Sequence, residues 1–149
     1  MPIIGAILVP HPPIIIPTVG RGQEREVQST IDAYRAAAKQ AAAWEPEVLI
    51  VTTPHLVMYA DYFHISPGKG ASGDMSVLGA AQTRLTAEYD MELRDEIIRQ
   101  AENAGIRAGT LGEKNPSLDH GTFLPLYFLQ EAGMDCPILR IGLSGFSPL

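Results

Sequence analysis

Residues 48–55 have the sequence VLIVTTPH, in which a short apolar run ends in two threonines, a proline and a histidine. A short apolar run bounded by a proline-containing segment is typical of a strand buried on both faces of a parallel sheet. Residues 3–13, IIGAILVPHPP, show the same pattern, with a histidine among prolines after the apolar run. The sequence therefore predicts two buried strands, at 3–9 and 48–51, each followed by a histidine.

Three helices are expected around these strands. Residues 23–44 carry apolar side chains at steps of three and four, which predicts one buried stripe, and Pro46 ends the helix. Asp90 is placed to cap a helix that Gly105 stops. Residues 123–130 predict an apolar helix in which Pro125 is tolerable only near the first turn. Further strands are expected at 61–66, 84–89, 106–110 and 138–143, and loop or extended segments at 14–17, 67–73 and 112–121.

Alternating strands and helices predict an α/β fold with a largely parallel or mixed central sheet flanked by helices. The length of 149 residues fits a single domain, and 46% hydrophobic residues can bury a real core. The formal net charge of -6 argues against binding to nucleic acid or to anionic membranes. Residues 1–9 lack the basic region and cleavage site of a signal peptide, so we expect a cytoplasmic protein.

The histidines are the main candidates for chemistry. His11 and His55 each follow a predicted strand, and His120 precedes a predicted helix. Ligands of open α/β sheets bind at the carboxyl ends of strands, and neutral imidazole is the commonest metal ligand near neutral pH. A single histidine after a strand is more often a solvated or hydrogen-bonded loop residue. The matched placement nevertheless predicts that His11 and His55 converge on one metal ion.

Three neighbouring residues have two interpretations each. Asp119 can orient the imidazole of His120 and raise its basicity, or it can cap the following helix, and both can hold. His64 lies in an alternating stretch, where pairing across the sheet or lining the edge of the cleft is the favoured interpretation. Tyr59 can line a pocket for a planar substrate, although packing in the core or at its rim is more common.

Several motifs together resemble a known family. The chain is similar to the class III extradiol ring-cleavage dioxygenases of the LigB superfamily, and most similar to the LigB-like domain of AmmeMemoRadiSam system protein A, which is related to Memo. The resemblance covers essentially the whole chain in motif order, and it matches the amino-terminal part of the longer family domain. The motifs are residues 5–13 (GAILVPHPP), 53–55 (TPH), 61–68 (DYFHISPG), 109–113 (GTLGE), 117–122 (SLDHGT) and 140–145 (RIGLSG).

The resemblance implies an α/β core and a mononuclear non-heme Fe(II) site for cleaving a small aromatic diol. His11 and His55 resemble the two histidine ligands of the family, and His120 resembles its acid–base histidine. Two histidines and one carboxylate leave open positions for a catecholate and O2. A nearby histidine can take up a phenolic proton and return it.

The family's carboxylate ligand comes from farther along its chain than this sequence extends. No Asp or Glu follows residue 135, and Asp61 and Glu113 are expected to be solvated rather than ligating. We therefore expect the domain to continue past Leu149, beyond a strand that residues 144–149 leave uncovered. For residues 1–149 alone we expect weak Fe(II) binding, no ring cleavage and self-association as a homo-oligomer.

Two other functions remain open at this point. One is an accessory protein that binds a metal or small molecule and partners a radical-SAM system. The other is a zinc-type hydrolase, in which the same histidines hold a metal whose bound water attacks an ester or amide. The identity of the metal, Fe(II) against Zn(II) or another divalent ion, separates the dioxygenase from the hydrolase.

Overall fold

The computed structural model describes residues 2–145, in which two helices are followed by four strands and then by alternating helices and strands. The helices are α1 (Pro17–Gly20), α2 (Gln28–Ala43), α3 (Met91–Asn103) and α4 (His120–Glu131). The strands are β1 (Leu49–Thr53), β2 (Phe63–His64), β3 (Gly70–Met75), β4 (Ala80–Glu88), β5 (Ala108–Gly109) and β6 (Ile138–Gly142). Short 3-10 turns lie at Pro13–Ile15, Gln23–Val27 and Ser76–Leu78.

The strands form three pairs. β1 and β6 are parallel, as are β2 and β5, whereas β3 and β4 form an antiparallel hairpin. Isolated bridges connect the pairs, from Ile65 to Ile141 and from Tyr89 to Ile138. The predicted α/β fold with mixed pairing is confirmed, and its sheet is divided into short pairs joined by these bridges.

The core includes the interface between α2 and α4. The predicted stripe of α2 is present, with Ile31, Tyr34 and Ala38 buried. The ring of Tyr34 stacks on that of Phe128 in α4, with centroids 4.5 Å apart. Helix α4 is buried over most of its surface, which explains why its sequence is apolar almost throughout.

Helix ends follow local sequence signals. The side chain of Asp90 accepts a hydrogen bond from the Leu93 N–H at 2.8 Å, and Gly105 adopts a φ of 72° just after α3, as predicted. Helix α4 begins at His120 rather than at residue 123, because Asp119 caps it. Pro125 consequently lies at the start of the second turn, near the first turn as the sequence predicts.

Residues 3–9 are not a strand, and this expectation is wrong. They are extended without ladder pairing, and the side chain of Leu8 is 100% exposed. An apolar run indicates burial, but a strand also needs a partner, and within the described residues β1 pairs only with β6. β1 itself is present, yet Ile50 is 43% exposed, so this strand is buried on one face rather than two.

Two segments expected to be irregular are ordered instead. Residues 70–73, predicted to be a mobile loop, belong to β3, because their backbone pairs with the end of β4. Residues 14–17 form short helical turns that bury Ile15 and Ile16 completely. The predicted continuation of the domain beyond Leu149 lies outside the described residues. Across residues 2–145, no helix has both the length and the apolarity needed to cross a membrane.

Candidate metal centre

Three histidines from distant parts of the chain meet at one place. His11 lies in the proline-containing segment before α1, His55 follows the end of β1, and His120 is the first residue of α4. The Nε2 atoms of His11 and His55 are 3.0 Å apart. One candidate ligand atom from each of the three residues lies within 4.8 Å of the others. The structure thus brings His11 and His55 together although residues 3–9 form no strand, and it adds His120 to the same cluster.

The spacing of these imidazoles fits a metal ion. Two nitrogens bound to one ion at about 2.1 Å lie no more than roughly 4.2 Å apart. The separation between the Nε2 atoms of His11 and His55 falls inside that limit, and a candidate ligand atom of His120 lies within 4.8 Å of both residues. His55 is exposed, and His11 and His120 are half-buried, so the cluster can be reached from solvent.

The carboxylate of Asp119 ties the end of β1 to the start of α4. It accepts hydrogen bonds from Thr53 Oγ1 at 2.7 Å and from the Thr122 N–H and hydroxyl at 3.1 and 2.8 Å. Thr53 Oγ1 in turn accepts a hydrogen bond from the backbone N–H of His55 at 3.2 Å. A Cβ at Gly121 would lie only 2.5 Å from Thr53 Oγ1, so this close approach requires glycine.

Asp119 is therefore the cap of α4, and its expected effect on the basicity of His120 is outweighed. Burial lowers the pKa of the His120 imidazole most, and the neighbouring His55 and His11 lower it further. The charge of Asp119 acts in the opposite direction but contributes least. The charge of Asp119 thus raises the basicity of His120 as expected, but the net pKa is lowered, which favours the neutral imidazole, the form that binds metals.

Arg140 is a residue that the sequence analysis missed. It is only 1% exposed, although it lies in the apolar strand β6. Its guanidinium donates to Ser66 Oγ at 2.8 Å, to the Ser117 carbonyl at 2.7 Å and to Glu113 Oε1 at 3.0 Å. Its Nη1 also lies 3.7 Å from Asp119 Oδ2. A charged residue that is buried must be paired. The signal in the sequence is therefore an arginine at the centre of the apolar strand β6.

The other candidate residues occupy structural positions. Glu113 is not solvated as expected, because its carboxylate pairs with Arg140 and its side chain is only 11% exposed. Asp61 is exposed and pairs with Arg107. His64 is fully buried in β2, where its Nδ1–H donates to the Leu111 carbonyl at 2.8 Å.

Tyr59 packs against a second tyrosine. The rings of Tyr59 and Tyr62 meet edge to face, with centroids 5.3 Å apart. The hydroxyl of Tyr59 donates to the Leu111 carbonyl at 3.4 Å, and that of Tyr62 accepts from the Leu111 N–H at 3.2 Å. The pair thus holds the loop that follows β5.

Comparison with known proteins extends this description. Residues 5–148 match a family described as the catalytic LigB subunit of aromatic ring-opening dioxygenase. The chain is also similar to Protein CA_C1420 of Clostridium acetobutylicum, with 31% identity over 156 residues. That match covers 100% of this chain and 33% of the relative, so the chain spans about a third of the length of that curated relative.

Proposed function

Because this chain belongs to the family of the catalytic LigB subunit of aromatic ring-opening dioxygenase, we propose that it acts on a small aromatic diol in a metal-dependent oxidation. His11 and His55 are the proposed metal ligands, and His120 is the proposed acid–base residue. The observation that supports this assignment is the 3.0 Å distance between the Nε2 atoms of His11 and His55, with a ligand atom of His120 close by.

Divalent iron is the metal that this chemistry favours, since a site of two histidines and one carboxylate leaves adjacent open positions for a catecholate and O2. His11 and His55 would hold the ion through their ring nitrogens. The exposure of His55 leaves this side of the cluster open to a small molecule.

We assign His120 to proton transfer rather than to tight metal binding. Its ring centroid lies 3.9 Å from that of His55, so its imidazole is beside any diol that reaches the two ligands. A neutral imidazole there accepts a phenolic proton as the diol binds and returns it later.

Diol recognition provides the test. The Fe(II)-loaded and metal-free chains are titrated by calorimetry under anaerobic conditions with catechol and with resorcinol, an isomer whose hydroxyls are not adjacent. We expect catechol to bind the iron-loaded chain at least about tenfold more tightly than the metal-free chain, a difference of about 1.4 kcal/mol, with no such gain for resorcinol. Equal gains for the two diols, or no gain for either, would contradict the proposal.

A second candidate is favoured by the set of three imidazoles. Three histidines with one open position are also the ligands of some catalytic zinc sites, in which a metal-bound water acts as nucleophile. Under this alternative, the Zn(II)-loaded chain hydrolyses an activated ester such as p-nitrophenyl acetate, and replacing His11, His55 or His120 by Ala abolishes the activity. Ester hydrolysis without any preference for catechol would favour the hydrolase.

A further inference from the structure

We propose that Asp119, anchored by Arg140, is a positioning residue that sets the distance between His55 and His120. This inference rests on the proposed function, because it concerns how the metal-binding cluster is held. The two histidines belong to different elements, β1 and α4, and they are not neighbours in sequence. A separate connection between the two elements is therefore needed to keep the imidazoles in place.

The first link runs from Asp119 to His55. Thr53 is 1% exposed, and its hydroxyl donates to Asp119 Oδ1 at 2.7 Å. Thr53 Oγ1 itself accepts a hydrogen bond from the backbone N–H of His55 at 3.2 Å. The Thr53 hydroxyl is thus used both as donor and as acceptor, and it fixes the turn that carries His55 away from the strand.

The second link runs from Asp119 to His120. As the cap of α4, Asp119 accepts from the Thr122 N–H and the Thr122 hydroxyl, at 3.1 and 2.8 Å. Thr122 is fully buried, so this end of the helix cannot move without breaking those hydrogen bonds. The position of His120, the first residue of the helix, follows from that of Asp119.

Arg140 holds the carboxylate from the other side. Its Nη1 lies 3.7 Å from Asp119 Oδ2 and also donates to the Ser117 carbonyl, two residues before Asp119. The Nε of Arg140 donates to Ser66 Oγ, and this hydrogen bond helps to orient the guanidinium, which projects from β6. Because Arg140 is buried, its attraction for the carboxylate is poorly screened by solvent. Arg140 therefore adds a connection between the segment before His120 and the strand β6.

Removing the contacts that join Thr53, Asp119 and Arg140 is expected to weaken metal binding more than it weakens folding. Removing hydrogen-bond partners that orient metal ligands typically costs roughly 10–100-fold in metal affinity. Thr53→Val keeps the volume of the side chain but removes the hydroxyl that connects His55 to Asp119. Thr53→Ser keeps the hydroxyl. Thr52→Val makes the same change on the exposed face of the same strand, so it is the matched control.

The first measurement is the dissociation constant for Co(II), obtained by titration of the whole chain. We expect Thr53→Val to weaken binding roughly 10–100-fold, and Thr53→Ser and Thr52→Val to stay within about twofold of the unsubstituted chain. Asp119→Asn retains a cap for α4 but loses the attraction to Arg140. Its loss of Co(II) affinity should lie between that of Thr53→Val and that of Thr53→Ser. Affinity unchanged in Thr53→Val, or lost equally in Thr53→Ser, would overturn the inference.

The second measurement needs no metal, so it separates this inference from the proposed function. In the metal-free protein, ring protons of His55 and His120 should show a nuclear Overhauser effect, because their centroids are 3.9 Å apart. We expect that signal to weaken in Thr53→Val and to persist in Thr52→Val. If it persists unchanged in Thr53→Val, the positioning role is wrong even where the metal binds. If it weakens while the unsubstituted chain binds no metal, the positioning role stands and the metal assignment fails.

Discussion

The Nε2 atoms of His11 and His55 lie 3.0 Å apart, although 44 positions separate the two residues in the chain. At this distance the two rings share a hydrogen bond when the Nε2 of one ring carries a proton and the Nε2 of the other ring is unprotonated and accepts it. The same distance fits two ligands of one metal ion. A metal ion held by both nitrogens would replace this existing contact with two coordinate bonds.

Loss of the buried guanidinium of Arg140 should destabilise the fold. Arg140→Met leaves the carboxylate of Glu113 nearly buried without its partner, and breaking such a pair costs about 3–5 kcal/mol. Urea unfolding of the metal-free chain measures this cost. The double variant Arg140→Met/Glu113→Gln should recover part of it, because the unpaired charge is then removed. A double variant that is less stable than Arg140→Met would contradict this explanation.

Replacing Tyr34 by Phe should stabilise the protein. The Tyr34 hydroxyl is buried without a hydrogen-bond partner, while its ring packs on Phe128. Burying an unpaired hydroxyl costs about 1–3 kcal/mol, so its removal should raise the Tm by several degrees. Tyr127→Phe is the matched control, since Tyr127 is only half-buried on the same helix as Phe128. A Tm that falls in Tyr34→Phe would show that the hydroxyl has a partner.

The same tyrosine predicts a loss of stability at alkaline pH. Burial raises the pKa of Tyr34 above its usual value, so the unfolded chain releases this proton first. The folded state consequently loses stability as the pH rises beyond about 10, where an exposed tyrosine ionises. Thermal unfolding between neutral pH and pH 11 should decline more steeply for the unsubstituted chain than for Tyr34→Phe. Parallel curves for the two proteins would contradict the prediction.

His120 should affect proton transfer more than metal content. In a catalytically active relative, we expect replacement of the corresponding histidine by Ala to lower turnover roughly 10²–10⁴-fold, the usual contribution of a general acid–base residue. Metal content, measured by elemental analysis of the same samples, should fall much less. Equal losses of metal and turnover would instead make His120 a ligand.

The sequence predicted those features that depend on local signals. Asp90 and Gly105 mark the ends of α3 because capping and left-handed turns are decided by a few adjacent residues. The apolar periodicity of residues 23–44 predicted the buried stripe of α2 for the same reason. His11, His55 and His120 were selected from their positions next to apolar segments, and the structure places all three together.

Features that depend on pairing between distant segments were not predictable in this way. The apolar run at residues 3–9 has the composition of a strand, but composition does not specify a partner. Residues 70–73 have the composition of a loop, yet pairing with β4 makes them a strand. The network of Arg140 joins residues from two other segments, Ser66 after β2 and Glu113 and Ser117 in the loop before α4, so no local spacing predicts it.

Metal titration of the metal-free chain tests the central claim most directly. We predict one divalent ion bound per chain, and a loss of affinity greater than about 100-fold in both His11→Ala and His55→Ala, beyond what loss of an outer partner causes. His64→Asn is the control histidine variant, because an amide can retain the donation to Leu111, and its affinity should be unchanged. Binding that survives in both His11→Ala and His55→Ala, or that is lost equally in His64→Asn, would contradict the account.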